Sequence, residues 1–262
     1  MQDAVLARPD PSWRSNARFM RAGLPNPHDA ARDFGGTLLA MTLQIGMLLY
    51  PGLTQLDLTG PFEVLHRIPG ARVHLVWKET QPVRADSGLG LVPTTAFADC
   101  PPLDILFVPG GNGQGAVMTD PVVLDFLRHH GRTARYVTSV CTGALVLGAA
   151  GLLDGYDAAT HWAFVQLLPA FGARHVPGRV VVDRNRITGG GVTAGIDFAL
   201  RLVAELAGED VAKAIQLGLE YDPAPPFRSG HPDVADPALV AKMRKRLSTL
   251  NALLSVNQPS QQ

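Results

Sequence analysis

The sequence predicts an α/β protein in which a mostly parallel sheet lies between two layers of helices. The first observation is a set of continuous apolar runs, such as LQIGMLLY at residues 43–50, which are typical of strands buried on both faces. The second is that segments with helical periodicity follow these runs, which indicates right-handed βαβ units. The third is size, because 262 residues, 46% of them hydrophobic, suit one α/β domain with a large core. The expected architecture is a three-layer sandwich.

Each element follows from a local pattern. Strands are predicted where apolar and β-branched residues run together, at 43–50, 72–79, 104–111 and 135–140, with a hairpin around Asn185 at 179–188. Helices are predicted where apolar residues recur with helical spacing, at 57–68, 121–132, 142–153, 161–171 and 193–208. Thr59 is expected to cap the first helix, close to Pro61, and Gly131 to follow the second helix.

The two ends of the chain differ from the α/β part. Residues 1–40 mix Arg, Asp, Pro and Asn without periodicity, so we expect a disordered extension, or a translation start at Met41 instead of Met1. Residues 41–222 form the predicted α/β domain. Residues 223–262 comprise a Pro-rich segment and a helix whose apolar face must pack against the domain or a second subunit. That face contains Val240, Met243, Leu247, Leu250 and Leu254.

Composition and charge exclude several classes of function. The chain carries 23 Lys and Arg against 23 Asp and Glu, so nothing electrostatic favours a nucleic acid or an anionic membrane as partner. Its apolar runs are too short to span a bilayer, and residues 1–40 lack the apolar segment of a secretory signal. Two cysteines do not make a disulfide framework. We therefore expect a cytoplasmic protein.

Cys141 occupies a corner between a predicted strand and a predicted helix, in YVTSVCTGALVLG at residues 136–148. Ligands of an open parallel sheet bind beyond the carboxyl ends of its strands, where such a corner exposes its central side chain. The N-terminus of the following helix favours a thiolate, and Gly143 permits the tight turn. These residues leave two interpretations open, a reactive nucleophile or a small buried hydrophobe. Cys100, in a loop before two prolines, is expected to be structural.

Two further segments are expected to reach the same edge of the sheet. In VPGGNGQG, residues 108–115, the backbone N–H groups of Gly110 and Gly111 can face a developing negative charge. This segment lacks the pattern of a phosphate loop or of a dinucleotide-binding loop, and the alternative is a plain connecting loop. In YPGLTQLDLTGP, residues 50–61, Asp57 lies between leucines, where it can carry a proton beside a thiol. The alternative is an Asp that caps the helix near Pro61.

Histidines and aromatic residues add weaker candidates. His161 and Trp162 follow a short strand and are candidates for lining a pocket, although capping a helix or packing in the core is the more ordinary role for His161. His129 and His130 are adjacent on a helix, so their side chains diverge and do not suit a metal pair. No set of His, Cys and carboxylate residues has the spacing of a zinc site, so we expect no metal.

Seven motifs together resemble the ThiJ/PfpI-like superfamily over about residues 42–235, and within it the branch that hydrates isonitriles. They are QLDLTGP, DCPPLD, VPGG, YVTSVCTGALVLGAAGLL, AATHW, ITGGGVTAGIDFAL and LEYDPAPPF. The resemblance implies a flavodoxin-like, class I glutamine amidotransferase-like sandwich and a homodimer. It also implies Cys141 as the nucleophile, Asp57 as the catalytic acid and Thr142 as the residue beside the cysteine. Thr142 stands where Cys-His members carry histidine, and Glu63 is expected to pack or pair on its helix.

The resemblance implies that an isonitrile, R–N≡C, becomes a formamide through a Cys141 thioimidate, with Asp57 as acid and then base. Backbone N–H groups of Gly110, Gly111 and Thr142 would stabilise charge. The carbon keeps its oxidation level, so no cofactor is expected. One alternative is a glyoxalase-like enzyme or repair hydrolase acting on α-oxoaldehydes. Another is a non-catalytic small-molecule sensor, although the roughly forty residues after Tyr221 are too few for a DNA-binding unit.

Overall fold

The computed structural model describes residues 42–255, with side chains described up to residue 247. The expectations for residues 1–40, including the choice between Met1 and Met41, lie outside these residues. Within the described range, no helix combines the length and the apolar character that crossing a lipid bilayer requires.

A seven-stranded sheet forms the centre of the protein. The strands are β1 (Leu43–Leu48), β2 (Ala71–Trp77), β3 (Val83–Arg84), β4 (Gly90–Leu91), β5 (Thr95–Ala96), β6 (Ile105–Val108), β7 (Tyr136–Val140), β8 (Asp157–Ala158), β9 (Arg174–His175), β10 (Val180–Asp183) and β11 (Arg186–Gly189). The central sheet has the order β10-β11-β7-β6-β1-β2-β5, and only the β10–β11 pair is antiparallel. Separate two-stranded sheets pair β3 with β4 and β8 with β9.

Helices flank this sheet. They are α1 (Gln55–Leu65), α2 (Gln114–Met118), α3 (Pro121–Gly131), α4 (Gly143–Ala149), α5 (Ala194–Ala207), α6 (Glu209–Gly218) and α7 (Pro237–Ser255). Helix α5 packs against α1 and α6, whereas α2 packs against α3 and α4. The predicted α/β sandwich with a mostly parallel sheet is therefore confirmed.

The middle strands explain the apolar runs in the sequence. All four residues of β6 are buried, as are the last four of β1 and of β7, because helices cover the sheet. The predicted hairpin also forms, with Asp183 paired to Arg186 across a turn that contains Asn185. Arg184 takes the left-handed conformation that this tight turn requires, with φ of 53°.

The start of α1 differs from the prediction. The helix begins at Gln55 with Thr54 at the N-cap, so the expectation that Thr59 caps it is wrong. Pro61 lies inside the helix, where it lacks the N–H that would bond to the Asp57 carbonyl. The helix tolerates this loss, and its earlier start places Asp57 in the first turn.

Two other boundaries depart from the prediction. Gly131 is the last residue of α3 and not the residue after it, and a Cβ there would lie 2.6 Å from the Leu152 side chain. Gly131 therefore packs closely against Leu152 and does not adopt a left-handed turn. The predicted helix at 161–171 forms a 3-10 helix, Trp162–Phe171, and the one at 142–153 is shortened to α4.

Candidate active site

The carboxyl ends of β1, β6 and β7 meet at one edge of the sheet. The segments that leave these strands carry Asp57, Gly110 and Cys141 respectively. Hydrogen bonds connect the segments, since the Gly110 N–H donates to Asp57 Oδ2 at 2.9 Å and the Gly111 N–H donates to Thr142 Oγ1 at 3.1 Å. The sequence expectation that both segments reach the cysteine is therefore confirmed.

Cys141 forms a strained turn between β7 and α4. Its φ is 57°, in the left-handed region that residues other than glycine rarely adopt. Hydrogen bonds hold the turn, because the Cys141 N–H donates to the carbonyls of Gly189 at 3.1 Å and Gly190 at 2.8 Å. The Thr160 hydroxyl donates to the Cys141 carbonyl at 2.8 Å. The surrounding structure thus fixes the backbone that presents the sulfur.

Two glycines let the segments approach each other. A Cβ at Gly143 would overlap the carbonyl oxygen of Val108, so α4 can start close to β6 only without a side chain there. A Cβ at Gly110 would lie 2.6 Å from the Thr142 backbone nitrogen and 2.8 Å from Asp57 Oδ2. Both distances are shorter than ordinary van der Waals contact, so the site is assembled around these two glycines.

Asp57 is fully buried and has one unpartnered oxygen. Its Oδ2 accepts from Gly110, while its Oδ1 has no hydrogen-bond partner. Burial raises the pKa of Asp57 from the usual 3.8 to about 7, although the Gly110 N–H and the Cys141 thiol act in the opposite direction. A carboxyl group with this pKa can both accept and donate a proton near neutral pH, which is what a general acid and base requires.

Opposing effects act on the pKa of the Cys141 thiol. Burial raises the pKa of the Cys141 thiol well above its usual range, and the neighbouring Asp57 carboxylate raises it further. The backbone N–H and the hydroxyl of Thr142 lower the pKa of the thiol, but burial outweighs them. The N-terminus of α4 therefore favours a thiolate, as expected, through the Thr142 N–H, but burial works against it. The sulfur needs a base before it can act as a nucleophile, and the Asp57 carboxylate is adjacent.

Gly110 and Gly111 have a different role from the one expected. We expect from the sequence that their N–H groups bind a negative charge that develops on the substrate. In the structure, the Gly110 N–H donates to Asp57 and the Gly111 N–H donates to Thr142. The assignment of these two N–H groups as free charge-binding donors is therefore corrected. They position the two side chains that flank Cys141.

Tyr50 supports this loop from the core. Its fully buried hydroxyl donates to the Pro109 carbonyl at 2.9 Å. Burial raises the pKa of Tyr50 well above its usual range, and the nearby Asp57 and Cys141 add to the effect. The phenol therefore stays protonated and continues to hold the loop.

A cavity of about 290 Å³ lies over Cys141 and Thr142. Its lining combines apolar side chains with a small number of polar groups, as is usual for small-molecule sites. The lining residues are Thr54, Gly111, Asn112, Gln114, Cys141, Thr142, His161, Phe164, Val192 and Leu247. The cavity therefore draws on the loop after β6, the turn after β7, the 3-10 helix and α7.

Of the two residues predicted to line a pocket, His161 lines the cavity and Trp162 does not. His161 lines the cavity and caps the 3-10 helix, since its Nδ1 accepts from the Ala163 N–H at 3.3 Å. Burial lowers the pKa of His161, so the ring is neutral near pH 7. Trp162 does not line the cavity. The Arg244 guanidinium lies over its ring at 5.4 Å, so the expectation for Trp162 as a pocket residue is wrong.

Gln114 and Leu247 are cavity residues that the sequence reasoning did not select. Gln114 stands in the glycine-rich segment after β6, so its position at the sheet edge was an available signal. Leu247 stands on the apolar face predicted for the C-terminal helix. The periodicity of a helix indicates that a face is buried but does not indicate what buries it.

The remaining candidates have structural roles. Cys100 is half-buried, and burial raises the pKa of its thiol to about 11, so it is not an activated cysteine. Glu63 pairs with Arg67 on α1, as expected. Burial lowers the pKa of His130 to about 4, which suits a neutral core histidine packed against Phe126. Among residues 42–255, no three His, Cys, Asp or Glu side chains are grouped so as to hold a metal ion.

Comparison with known proteins identifies the family of this chain. Residues 44–205, more than half of the chain, match the DJ-1/PfpI family. The chain belongs to the DJ-1/PfpI family. A crystal structure of a ThiJ/PfpI family protein from Pseudomonas syringae has a TM-score of 0.82 and 42% sequence identity, and the match covers 91% of this chain and 98% of that one.

This DJ-1/PfpI chain covers different shares of two curated relatives. The isonitrile hydratase of Pseudomonas putida is 60% identical over 206 residues, which is 79% of this chain and 90% of that enzyme. The HTH-type transcriptional regulator GbdR of Pseudomonas aeruginosa (strain UCBPP-PA14) is 33% identical over 187 residues, which is 68% of this chain and 50% of the regulator. The match therefore spans nearly the whole hydratase but half of the regulator.

Proposed function

We propose that this DJ-1/PfpI protein hydrates isonitriles, R–N≡C, to N-substituted formamides. The observation that carries the proposal is the buried Cys141–Asp57 pair beside a largely apolar cavity, in a chain that is 60% identical to an isonitrile hydratase. Isonitriles are nearly apolar molecules, which suits a cavity with few polar groups.

The first half of the reaction forms a covalent intermediate. The Asp57 carboxylate takes the thiol proton, and the Cys141 sulfur bonds to the isonitrile carbon. Asp57 then gives the proton to the same carbon, which yields the thioimidate R–N=CH–S–Cys141. A pKa of about 7 allows Asp57 to act in both directions. The Thr142 N–H and hydroxyl, which lower the pKa of Cys141, stabilise the sulfur while it is negative.

The second half releases the product. Asp57 removes a proton from a water molecule whose oxygen adds to the thioimidate carbon, and the nitrogen then receives that proton. The tetrahedral intermediate is R–NH–CH(OH)–S–Cys141. When its hydroxyl proton passes to Asp57, a C=O bond forms and the C–S bond breaks. Cys141 recovers the proton, and R–NH–CHO leaves. The carbon has one oxidation level throughout, so the scheme contains no redox step.

An assay with a simple aryl isonitrile, p-nitrophenyl isocyanide, tests the proposal. Absorbance and mass spectrometry follow the formamide produced by the wild type, by Cys141→Ala and by Cys100→Ala. We expect formamide from the wild type and from Cys100→Ala, and none from Cys141→Ala, although that variant should remain folded because alanine fits where a small thiol fitted. Cys100 provides the matched control because its thiol is outside the cavity lining.

Other outcomes point to the alternatives. If methylglyoxal becomes lactate faster than the isonitrile is consumed, the protein acts on α-oxoaldehydes and the proposal is wrong. If neither substrate turns over in a folded protein that still binds them, the sensor interpretation is favoured. Equal loss of activity in Cys100→Ala and Cys141→Ala would remove Cys141 as the nucleophile.

We also propose that the protein is a cytoplasmic homodimer. Large apolar side chains support an interface, since Leu217 is 83% exposed and Phe227 is 78% exposed in the single chain. Both cysteines are free thiols, which suits a reducing compartment. Light scattering should give twice the mass of one chain, and cell fractionation should recover the protein with cytoplasmic markers. A mass equal to one chain would refute the dimer.

A further inference from the structure

A second carboxyl group lies beside the turn that leads from β1 into α1. The Thr54 hydroxyl donates to Asp86 Oδ2 at 2.6 Å, and Thr54 also lines the cavity over Cys141. Among the described residues, this is the only hydrogen bond to the Asp86 side chain, and no cation forms a salt bridge with it. The reaction proposed above does not use this carboxylate.

The backbone around Asp86 is bonded to the same turn. The Asp86 N–H donates to the Leu53 carbonyl at 2.9 Å, and the Gly52 N–H donates to the Arg84 carbonyl at 2.8 Å. These two bonds hold the end of β3 against the turn after β1. Asp86 itself is exposed, so these hydrogen bonds and not burial keep its carboxyl group in place.

Thr54 connects this carboxyl group to Asp57. Thr54 is the N-cap of α1, and its carbonyl accepts from the Asp57 N–H at 3.0 Å. The Thr54 N–H donates to the Gly110 carbonyl at 2.9 Å, while the Gly110 N–H donates to Asp57 Oδ2. One residue therefore joins Asp86 on its side-chain side to Asp57 on its backbone side.

A negative charge on Asp86 disfavours a negative charge on Asp57. Burial is the main cause of the raised pKa of Asp57; the Gly110 N–H and the Cys141 thiol lower it, and the Asp86 carboxylate raises it further. Tyr50 also faces Asp57, but its phenol is neutral. Among these groups, Asp86 is a charged side chain that lies outside the cavity lining.

We propose that Asp86 is a positioning residue that keeps Asp57 divided between its two proton-transfer roles. Asp57 must be ionised to take the thiol proton and protonated to give a proton back, and a nearby negative charge favours the protonated form. This assignment rests on the proposed function and adds a residue outside the cavity to it. Because Asp86 is exposed, salt should weaken its effect.

The test replaces Asp86 by Asn, which removes the charge and keeps an oxygen that accepts from Thr54. The fall in kcat/KM for the aryl isonitrile on the acidic side should then occur at a pH lower by about 0.5, as expected for one like charge near the protein surface. Well below the midpoint, Asp86→Asn should retain about threefold more of its maximal kcat/KM than the wild type does.

Asp104→Asn is the matched control. Asp104 Oδ2 also accepts one hydrogen bond, from the Gln44 N–H at 2.7 Å, but Asp104 precedes β6 and lies at the opposite edge of the sheet. Asp104→Asn should keep the wild-type pH profile. Asp86→Glu, which retains the charge, should restore most of it.

Salt separates the charge of Asp86 from a structural role. Raising NaCl from about 0.01 M to about 1 M shortens the screening length about tenfold, so the wild-type profile should move toward that of Asp86→Asn. The profile of Asp86→Asn should move less. Coincident profiles of the wild type and Asp86→Asn at both salt concentrations would overturn the assignment.

Titration of Asp57 gives a readout that does not depend on turnover. Carbon NMR of protein labelled at the aspartate carboxyl groups follows this titration, and the Asp57 signal is identified by its loss in Asp57→Asn. The midpoint for Asp57 should be lower by about 0.5 in Asp86→Asn and unchanged in Asp104→Asn. Equal midpoints in Asp86→Asn and the wild type would overturn the assignment. If the midpoint moves but the wild type converts no isonitrile, the hydratase proposal fails instead.

Discussion

Replacing Asp57 by Asn separates the cost of burying a carboxyl group from its use in catalysis. Burial holds the pKa of Asp57 at about 7 in the folded protein, against the usual 3.8. Folding therefore favours the protonated form, and the stability from this group is fully present below pH 3.8 and lost as the pH rises through about 7. A difference of about three pKa units corresponds to about 4 kcal/mol at about 1.36 kcal/mol per unit. Asn is neutral at every pH, so the variant avoids this loss.

Urea unfolding between about pH 4 and pH 8 measures the effect. Asp57→Asn and the wild type should be similar in stability near pH 4, and the variant should gain up to about 1.4 kcal/mol per pH unit relative to wild type until the pH passes 7. Its catalytic rate should fall by on the order of 10² or more, because the proton carrier is gone.

A suitable control is Asp125→Asn, which changes a carboxylate whose side chain is 76% exposed on α3. That variant should stay within about 0.5 kcal/mol of the wild type across the same range. A stability difference between Asp57→Asn and the wild type that is the same at every pH would refute the argument, because it would mean that burial does not raise the pKa of this carboxyl.

Three more predictions concern the same site. Thr142→Val leaves the buried Gly111 N–H without its acceptor, so urea unfolding should show a loss of about 1–3 kcal/mol, and a stability equal to wild type would contradict the hydrogen bond. Gly143→Ala puts a Cβ into the Val108 carbonyl oxygen and should cost more than about 2 kcal/mol, measured by thermal unfolding; a well-folded variant would show that the turn can open. The kcat/KM of the wild type for the isonitrile should decrease with falling pH below about 7, since a protonated Asp57 cannot accept the thiol proton, and a flat profile would exclude Asp57 as the base.

Much of the fold could be predicted because periodicity reports burial directly. Apart from Gln44, the run at 43–50 has no polar side chain until Tyr50, because β1 lies inside the sheet and its last four residues are buried. The ends of the helices and strands were harder to predict, because they depend on contacts between segments that are distant in the sequence. Gly131, for example, is the last residue of α3 and packs against Leu152, which comes after α4 in the chain. The sequence around Gly131 does not show this contact.

The site was predictable in position but not in electrostatics. The corner at Cys141 and the Asp between leucines located both groups, because the carboxyl ends of parallel strands converge. The effect of the helix N-terminus on the pKa of the Cys141 thiol could be read from local sequence, whereas the desolvation that opposes it depends on everything packed around the sulfur. Which acceptors the Gly110 and Gly111 N–H groups find likewise depends on side chains from α1 and from the turn before α4.

Leu247 makes α7 part of the wall of the reaction chamber. Substitutions on α7 can thus alter the size of the R group that fits, while the sheet and the Cys141–Asp57 pair remain as they are.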